Sequence, residues 1–277
     1  MNIVILGFGR MGAWMARELS KSHDVFVYDQ DPTKTRRALG VSVIEDRGDI
    51  ARLAPDALVN AAGLAQTVEA YSSVDKLLPP DCLLCDLASI KGSIPDYYRS
   101  RPFRFCSCHP MFGPTFADPS ALGEESVVII AESHPEAAAL FEGFFRGLGL
   151  HVHVCSFDEH DRMMAYALTL PFVASMVFAA CLDRPPVPGT TFKQQRTIAE
   201  KLLGEDDGLL AEILFNPHSL RQLEKVTQRL EFLKHIIGGR DAEEARRFFA
   251  RLRENLAGTP AEPTGAGFRI GQWRYPP

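Results

Sequence analysis

The sequence predicts an α/β domain followed by an all-helical domain, and three observations support this fold class. Short apolar segments alternate with helical patterns over residues 1–156, which is typical of a parallel sheet covered by helices. A glycine-rich turn follows the first apolar segment, and an acidic residue follows the second. Beyond this region only helical periodicity remains. We therefore expect two domains, 1–156 and 157–277.

Length, composition and charge limit the classes of protein to which this chain can belong. The chain has 277 residues, of which 46% are hydrophobic, so it can bury one large or two medium cores. The net charge is −5 and no basic run is present, which argues against nucleic-acid binding. Residues 1–7 lack a basic segment and resemble a buried strand, not a signal peptide. We expect a cytoplasmic protein.

The cysteine spacing invites a zinc site. The six cysteines are Cys82, Cys85, Cys106, Cys108, Cys155 and Cys181. Cys82 and Cys85, like Cys106 and Cys108, fall in apolar, strand-like runs, where small buried residues are the better interpretation. We therefore predict no metal, and free thiols fit a reducing compartment.

One uncharged run, residues 163–182, is long enough to cross a membrane. It contains Thr169, Pro171 and Ser175, and it stands alone between segments that look soluble. A helix that is apolar on all sides also suits a helical core or a subunit interface. We therefore expect no membrane span, and a homodimer instead.

The first elements match the dinucleotide-binding fingerprint of a Rossmann-type domain. Residues 2–6 form an apolar strand, a helical pattern runs to about residue 20, and a second strand ends at Asp29. The turn between the first strand and the helix is Gly7, Phe8, Gly9, Arg10, Met11 and Gly12. In this motif the glycines allow a tight turn, close approach of the pyrophosphate and close helix packing. The helix N-terminus favours the phosphates.

Asp29 predicts the cofactor. A carboxylate there can accept a hydrogen bond from the ribose 2′-hydroxyl and would repel a 2′-phosphate, which favours NAD over NADP. Gln30 and Asp31 follow it, with no arginine beside them. NADP stays the less favoured alternative because cations lie nearby, at Lys34, Arg36 and Arg37.

The α/β alternation continues to residue 154. Further strands are expected at 41–44, 57–60, 82–85, 103–108, 126–130 and 151–154, with a helix at 135–148. Ala61 and Ala62 follow one of these strands and are expected beneath the ribose and nicotinamide. His151 and His153 alternate with valines, which predicts the exposed face of an edge strand.

Two polar blocks follow neighbouring strands, at the sheet edge where α/β proteins bind ligands. Residues 86–91 read Asp-Leu-Ala-Ser-Ile-Lys, and residues 109–114 read His-Pro-Met-Phe-Gly-Pro. Ser89 offers a hydroxyl, Lys91 a cation and His109 an imidazole that titrates near neutral pH. The histidine and the hydroxyl form a candidate proton-handling pair. The alternative is a surface histidine in a turn.

The second half is predicted to be helical. Helices are expected at 158–182, 191–203, 207–215, 217–237 and 241–256. Asp158 is expected to cap the first of them, with Asp161 in its first turn. Residues 185–189 form a linker, and the tail from residue 258 is rich in Gly and Pro.

These motifs resemble the prephenate/arogenate dehydrogenases of tyrosine biosynthesis. The blocks at 86–91 and 109–114 carry the resemblance, together with Glu-His-Asp-Arg-Met-Met-Ala at 159–165 and Leu-Ala-Glu-Ile-Leu-Phe-Asn at 210–216. The resemblance implies a homodimer formed by the helical domain, an active site between the domains, and NAD-dependent oxidative decarboxylation of a cyclohexadienyl substrate.

The resemblance also implies roles for individual residues. His109 is the expected base and Ser89 its partner beside the ring hydroxyl of the substrate. Lys193 lies where relatives often have an arginine that binds a substrate carboxylate, and Arg196 is the rival. Lys91 and Thr169 complete the expected substrate-binding set.

His160, in the first turn of the long helix, is expected to have a structural role. Its neighbours Glu159 and Asp161 need not cluster with it, because adjacent helical residues point to different sides.

One departure from the family leaves the substrate open. Relatives often carry a second histidine in the long helix, where this chain has Phe172, with Thr169 one turn earlier. Prephenate, arogenate and 4-amino-4-deoxyprephenate all remain candidates. The rival functions are another two-domain dehydrogenase, such as a β-hydroxyacid dehydrogenase or imine reductase, and a nucleotide-binding sensor or scaffold without catalysis.

Overall fold

The structure is a computed structural model that describes residues 1–36, 38–63, 66–113, 122–183 and 187–258. Within these residues eight strands form one sheet in the order β3-β2-β1-β4-β5-β6-β7-β8. The strands are β1 (Asn2–Leu6), β2 (Asp24–Tyr28), β3 (Ser42–Val43), β4 (Ala57–Asn60), β5 (Leu83–Asp86), β6 (Phe105–Pro110), β7 (Ser126–Ile130) and β8 (His151–Cys155). The predicted strands are present, although β3 is only two residues long.

The strand pairing departs from a fully parallel sheet at one place. The first six strands in this order, β3-β2-β1-β4-β5-β6, are all parallel to their neighbours. Strand β7 runs antiparallel to β6 and parallel to β8. Strand β6 continues to Pro110 because it pairs with β7 there: His109 lies opposite Val128 and Pro110 opposite Val127. The expectation that the second polar block begins beyond its strand was therefore wrong, since His109 lies inside β6.

Helices cover both faces of the sheet. The helices of this half are α1 (Arg10–Leu19), α2 (Pro32–Thr35), α3 (Ile50–Leu53), α4 (Thr67–Val74), α5 (Ile94–Arg99) and α6 (Pro135–Gly147). One core cluster packs α1 and α6 on one face, and a second packs α4 and α5 on the other. Strands buried on both faces read as continuous apolar runs, which is why β1 could be recognised in the sequence.

The remaining elements among the described residues are helical. They are α7 (Phe157–Met164), a π-helical segment (Ala165–Thr169), α8 (Leu170–Ala180), α9 (Thr190–Leu203), α10 (Asp207–Leu214), α11 (Ser219–Gly239) and α12 (Ala242–Gly258). This arrangement confirms the predicted fold class, an α/β Rossmann-type domain followed by an all-α region. We propose the change at Ser156 as the boundary between domains 1–156 and 157–277.

The start of α7 corrects one local prediction. Ser156, not Asp158, is the N-cap residue: its hydroxyl accepts a hydrogen bond from Glu159 N, and the Glu159 carboxylate accepts one from Ser156 N. This reciprocal pair is a capping box. It fixes where α7 begins, and therefore which side of the helix faces the sheet.

The long apolar helix is continuous but not uniform. A π-helical turn at Ala165–Thr169 interrupts the α-helical hydrogen bonding between α7 and α8. Among the described helices, Phe157–Ala180 is long and apolar enough to cross a membrane by length and composition, and 33% of its most apolar window is buried. Segments of π-helix often lie at functional sites.

Candidate active site

The glycine-rich turn has the close contacts that its sequence predicts. Gly7 has φ +89°, a conformation that glycine adopts most readily, and a Cβ there would lie 2.7 Å from Ala62 N. A Cβ on Gly12 would lie 2.0 Å from Gly7 O, so α1 packs against the turn too closely for any side chain. A Cβ on Gly9 would meet nothing within 4 Å, and this residue is exposed. The backbone at Gly9 is therefore open to a ligand.

This turn fits the pyrophosphate of a dinucleotide. Helix α1 begins beyond Gly9 with no side-chain cap, so its first N–H groups are available to an anion. The side chains of Phe8 and Met11 pack against the core. Arg10 extends outward and pairs with Glu205 of the helical region at 3.1 Å. A dinucleotide bound here would supply a nicotinamide that accepts hydride.

Asp29 lies at the end of β2 beside this turn. Its Oδ2 atom accepts a hydrogen bond from Phe8 N at 2.7 Å, and Oδ1 accepts one from Asp31 N at 2.9 Å. Lys34 is 3.9 Å away from the same carboxylate, and Arg37 lies outside the described residues. The carboxylate is therefore held in a fixed orientation next to the cofactor turn.

Ala61 and Ala62 support the turn from the end of β4. Ala61 N donates to Leu6 O at 2.8 Å, and Ala62 N donates to the side chain of Asn60 at 3.1 Å. Backbone atoms of both alanines lie so close to Gly7 that a Cβ on Gly7 would collide with them. The segment that follows includes Leu64 and Ala65, which lie outside the described residues.

His109 is buried and takes part in an array of three side chains. Its Nδ1 atom lies 3.1 Å from Nε2 of His160, and the Nδ1 atom of His160 lies 2.9 Å from Oδ1 of Asp161. All three residues are less than 9% exposed. The alternative of a surface histidine in a turn is therefore wrong.

Burial keeps His109 neutral. Burial, followed by the neighbouring His160 and Lys91, holds the pKa of His109 well below its ordinary value of 6.5. Burial also lowers the pKa of His160, although its hydrogen bond to Asp161 opposes this. For Asp161, burial raises the pKa but is outweighed by hydrogen bonds from His160 and from the backbone of Lys91 and Gly92, which lower it. The outcome is two neutral imidazoles beside an ionised carboxylate.

His160 and Asp161 are the residues that sequence reasoning missed. The rule that adjacent helical residues point apart did not hold, because the short Asp161 side chain reaches the ring of its neighbour. A structural role for His160 accounts for its burial but not for its contact with His109. The signal in the sequence is the adjacent His-Asp pair within residues 159–165.

Ser89 lies in the bend after β5 and is half-buried. Among the described residues its hydroxyl makes no hydrogen bond, so the expected pairing with His109 is not formed as a direct contact. Ser89 follows strand β5, and His109 lies near the end of the adjacent strand β6. The placement keeps Ser89 at the same edge of the sheet as His109.

Lys91 does not face a substrate. Its ammonium group is 2.8 Å from Asp86 Oδ1 and donates to Cys108 O at 2.8 Å, and the residue is 1% exposed. The expectation that Lys91 supplies a substrate-binding cation is therefore wrong. The physical reason is that Asp86, itself fully buried at the end of β5, needs a positive partner.

The other expected substrate-binding residues lie in the helical region. Thr169 is buried, and its hydroxyl contacts Ser219 Oγ at 2.7 Å, so it joins helices within the described chain. Lys193 and Arg196 are exposed on α9, and Arg196 pairs with Glu200 at 2.7 Å. Phe172, where relatives often have histidine, is also buried. No contact among the described residues joins these side chains to His109.

The four cysteines of the two pairs are buried, as predicted, and three of these residues lie close together. Cys85 and Cys106 are partners in neighbouring strands, and the sulfur atoms of Cys85, Cys106 and Cys108 lie within 4.8 Å of one another. They belong to the apolar core of the sheet. Among the described residues this group has three thiols, whereas structural zinc sites use four ligands.

The chain is similar to known proteins in family, sequence and structure. The family model "Prephenate dehydrogenase, nucleotide-binding domain" matches residues 13–152, just over half of the chain. Arogenate dehydrogenase 2, chloroplastic, from Arabidopsis thaliana is 22% identical over 260 residues, covering 89% of this chain and 73% of that protein. The T-protein of Enterobacter agglomerans is 28% identical over 151 residues, covering 51% of this chain and 40% of the T-protein.

A solved structure has the same fold. Prephenate dehydrogenase from Aquifex aeolicus, crystallised with hydroxyphenyl propionate and NAD+, has a TM-score of 0.81 and 18% identity. The alignment covers 93% of this chain and 97% of that chain. Together these matches confirm the resemblance that the motifs indicated.

Proposed function

Because the chain belongs to the prephenate dehydrogenase family of NAD(P)-dependent dehydrogenases, we propose that it oxidatively decarboxylates prephenate to 4-hydroxyphenylpyruvate, with His109 as the base. The observation that carries this proposal is the buried, neutral His109 at the sheet edge that also holds the glycine-rich turn. A rival without catalysis does not fit a member of this dehydrogenase family.

The order of the strands supports the proposed reaction path. The glycine-rich turn follows β1, Ala61 follows β4, Ser89 follows β5 and His109 is near the end of β6. These strands are consecutive in the sheet, so the four positions form a row. Neighbouring strands are about 4.8 Å apart, which leaves room for a nicotinamide and a substrate ring along the row.

The proposed chemistry needs one base and one orienting group. A bound NAD would supply the acceptor for the hydride that leaves ring carbon C4. His109 accepts the proton of the C4 hydroxyl, for which a neutral imidazole is suited. Ser89 orients that hydroxyl. Loss of carbon dioxide from C1 then makes the ring aromatic.

NAD is the cofactor of this proposal. Asp29, fixed by the backbone of Phe8 and Asp31, carries a negative charge next to the cofactor turn. A 2′-phosphate on the adenosine ribose would meet this charge, whereas a 2′-hydroxyl can donate a hydrogen bond to it.

Arogenate is the second candidate substrate, and 4-amino-4-deoxyprephenate is the third. The Arabidopsis relative is named an arogenate dehydrogenase, whereas the Aquifex structure is named a prephenate dehydrogenase. Lys193 and Arg196 are the proposed cations for the substrate carboxylates, because both are exposed on α9. Thr169 remains a weaker proposal, because its hydroxyl already has partners.

The helical region supports a homodimer. Many large apolar side chains are exposed there, including Leu170, Val177, Leu220, Leu223, Leu230 and Ile237. Exposed apolar patches of this kind mark interaction surfaces. A second copy of the chain covers this surface in our proposal, so that the apolar helix Phe157–Ala180 serves assembly and not membrane insertion.

A cytoplasmic location also remains part of the proposal. The cysteines are free thiols, which fits a reducing compartment.

A substrate panel tests the proposed function. Purified protein is mixed with prephenate, arogenate, 4-amino-4-deoxyprephenate or a β-hydroxyacid, each with NAD or NADP, and formation of reduced nicotinamide is followed by absorbance. We expect the highest kcat/KM with prephenate and NAD. Turnover of a β-hydroxyacid instead, with none on the three cyclohexadienyl compounds, would support the rival dehydrogenase and overturn the proposal.

A further inference from the structure

The array of His109, His160 and Asp161 has a defined direction of hydrogen bonding. An ionised carboxylate only accepts hydrogen bonds. Asp161 accepts three: from His160 Nδ1 at 2.9 Å, from Lys91 N at 2.8 Å and from Gly92 N at 3.0 Å. Two of these donors are backbone groups that cannot reverse. The Nδ1 atom of His160 must therefore carry a proton.

The proton on His160 determines the proton on His109. A neutral imidazole has one N–H group, so the Nε2 atom of His160 is an acceptor once Nδ1 is the donor. The Nδ1 atom of His109 lies 3.1 Å from it and must donate. The Nε2 atom of His109 is then left without a proton. This nitrogen is the one available to accept a proton from a substrate.

The array is held by both halves of the chain. His109 lies on β6, while His160 and Asp161 lie on α7, whose start is fixed by the capping box. The backbone oxygen of Asp161 accepts a hydrogen bond from Asn216 Nδ2 at 2.8 Å, which ties α7 to the segment before α11. These contacts hold the two imidazoles in register.

Burial lowers the pKa of both imidazoles and keeps them neutral at rest, whereas Asp161 and Asp86 raise the pKa of His160. The charged groups that face the array are Lys91, Asp86 and Asp161, and the ammonium of Lys91 is paired with Asp86. When His109 accepts a proton at Nε2, its Nδ1–H bond to His160 becomes charge-assisted and stronger. Asp161, one step further along the array, stabilises the positive charge that develops.

We propose that His160 and Asp161 are positioning residues, which hold the proton of His109 on Nδ1 and leave Nε2 as the proton acceptor for the dehydrogenation. This inference rests on the proposed function for its catalytic meaning, but the tautomer of His109 can be measured without any substrate. In unrelated Ser-His-Asp hydrolases a carboxylate likewise holds the tautomer of the histidine base, and loss of the correct tautomer costs about 10⁴-fold in kcat.

The first test is the tautomer itself. Full-length protein labelled with ¹⁵N-histidine is studied by NMR above pH 7, and the ring signals of His109 are assigned by their loss in His109→Asn. We expect His109 to have a protonated Nδ1 and an unprotonated Nε2. A proton on Nε2 of His109 in the wild-type protein would overturn the proposal.

The second test separates positioning from packing. His160→Gln keeps an acceptor close to the position of Nε2, whereas His160→Leu fills the space without one. We expect His160→Leu to lower kcat by roughly 10²–10⁴-fold and to change the acid limb of its pH profile, with KM for NAD unchanged. His160→Gln should recover about tenfold or more of the lost kcat.

The control is Met164→Leu, a buried residue on the same helix, which should keep wild-type kcat. If His160 only fills space, leucine should be tolerated as well as glutamine, and folded His160→Leu with wild-type kcat and acid limb would overturn the proposal. If His160→Leu does not fold, the NMR measurement of the His109 tautomer in the wild-type protein decides whether the proposal holds. A protonated Nδ1 in a protein that turns over no cyclohexadienyl substrate would reject the proposed function and not the array.

Discussion

The ammonium group of Lys91 lies 2.8 Å from the carboxylate of Asp86, and both side chains are fully excluded from solvent. The pair lies beneath the proposed active site, since the same ammonium also binds the backbone oxygen of Cys108, which precedes His109. Removal of one partner of a buried ion pair leaves an uncompensated charge, which is strongly destabilising. Lys91 is therefore expected to act on the shape of the site and not on substrate affinity.

Lys91→Met should lower the free energy of unfolding by about 3–5 kcal/mol, measured by urea denaturation. Lys76→Met, at an exposed lysine of the same domain, should change it by less than about 0.5 kcal/mol. Wild-type stability of Lys91→Met together with a raised KM for the substrate would restore the original expectation that Lys91 binds substrate.

The cofactor preference should depend on the charge of Asp29. Asp29→Asn removes the charge but keeps an oxygen that can accept a backbone hydrogen bond. The ratio of kcat/KM with NADP to that with NAD should rise about tenfold or more, equivalent to about 1.4 kcal/mol. Asp31→Asn, which alters the neighbouring cap of α2, is the control and should leave the ratio near wild type. A wild-type enzyme that prefers NADP would contradict this account of Asp29.

The proposed carboxylate cations can be separated by single substitutions. Alanine at the true ligand, Lys193 or Arg196, should raise KM for the substrate roughly 10–100-fold, because a hydrogen bond to a charged group contributes about 1.5–3 kcal/mol. Binding of NAD, followed by fluorescence titration, should stay unchanged. Lys201→Ala on the same helix is the matched control. If neither substitution raises KM, the cations lie elsewhere in the chain.

Assembly should depend on the exposed apolar residues of α11. Leu223→Glu combined with Leu230→Glu should convert a dimer to a monomer in light scattering at micromolar concentration, since two charges would be buried in the interface. Val154→Glu is the control, because Val154 is also exposed but lies on the edge strand β8. A wild-type protein that is a stable monomer would contradict the dimer, and solubility that requires detergent would favour a membrane instead.

Much of the fold was accessible from sequence because its signals are local. The glycine-rich turn, the apolar strands and the change to helices each depend on short-range patterns, and each was found where expected. The strand β7 was predicted but its antiparallel direction was not, because strand direction depends on pairing with β6 and leaves no local pattern.

The site was predicted only in part, for the same reason. His109 was found because its block lies at the end of a strand, whereas its contact with His160 joins residues 51 positions apart. Lys91 was assigned to the substrate as the cation of its block, because burial of its ion pair with Asp86 leaves no local sequence pattern. Tertiary contacts of this kind decide which polar residues face a ligand.

The most direct test of the account is the pH dependence of kcat/KM for wild-type protein and His109→Asn. Burial lowers the pKa of His109 below histidine's ordinary value of 6.5. The base therefore stays neutral and active down to pH 6.5, and protonation removes activity only at a lower pH. We expect a wild-type acid limb below pH 6.5, and loss of that limb with a roughly 10²–10⁴-fold lower kcat in His109→Asn. His151→Asn, on the exposed edge strand, should behave as wild type. A folded His109→Asn protein with undiminished kcat and the same acid limb would contradict the role of His109 as the base.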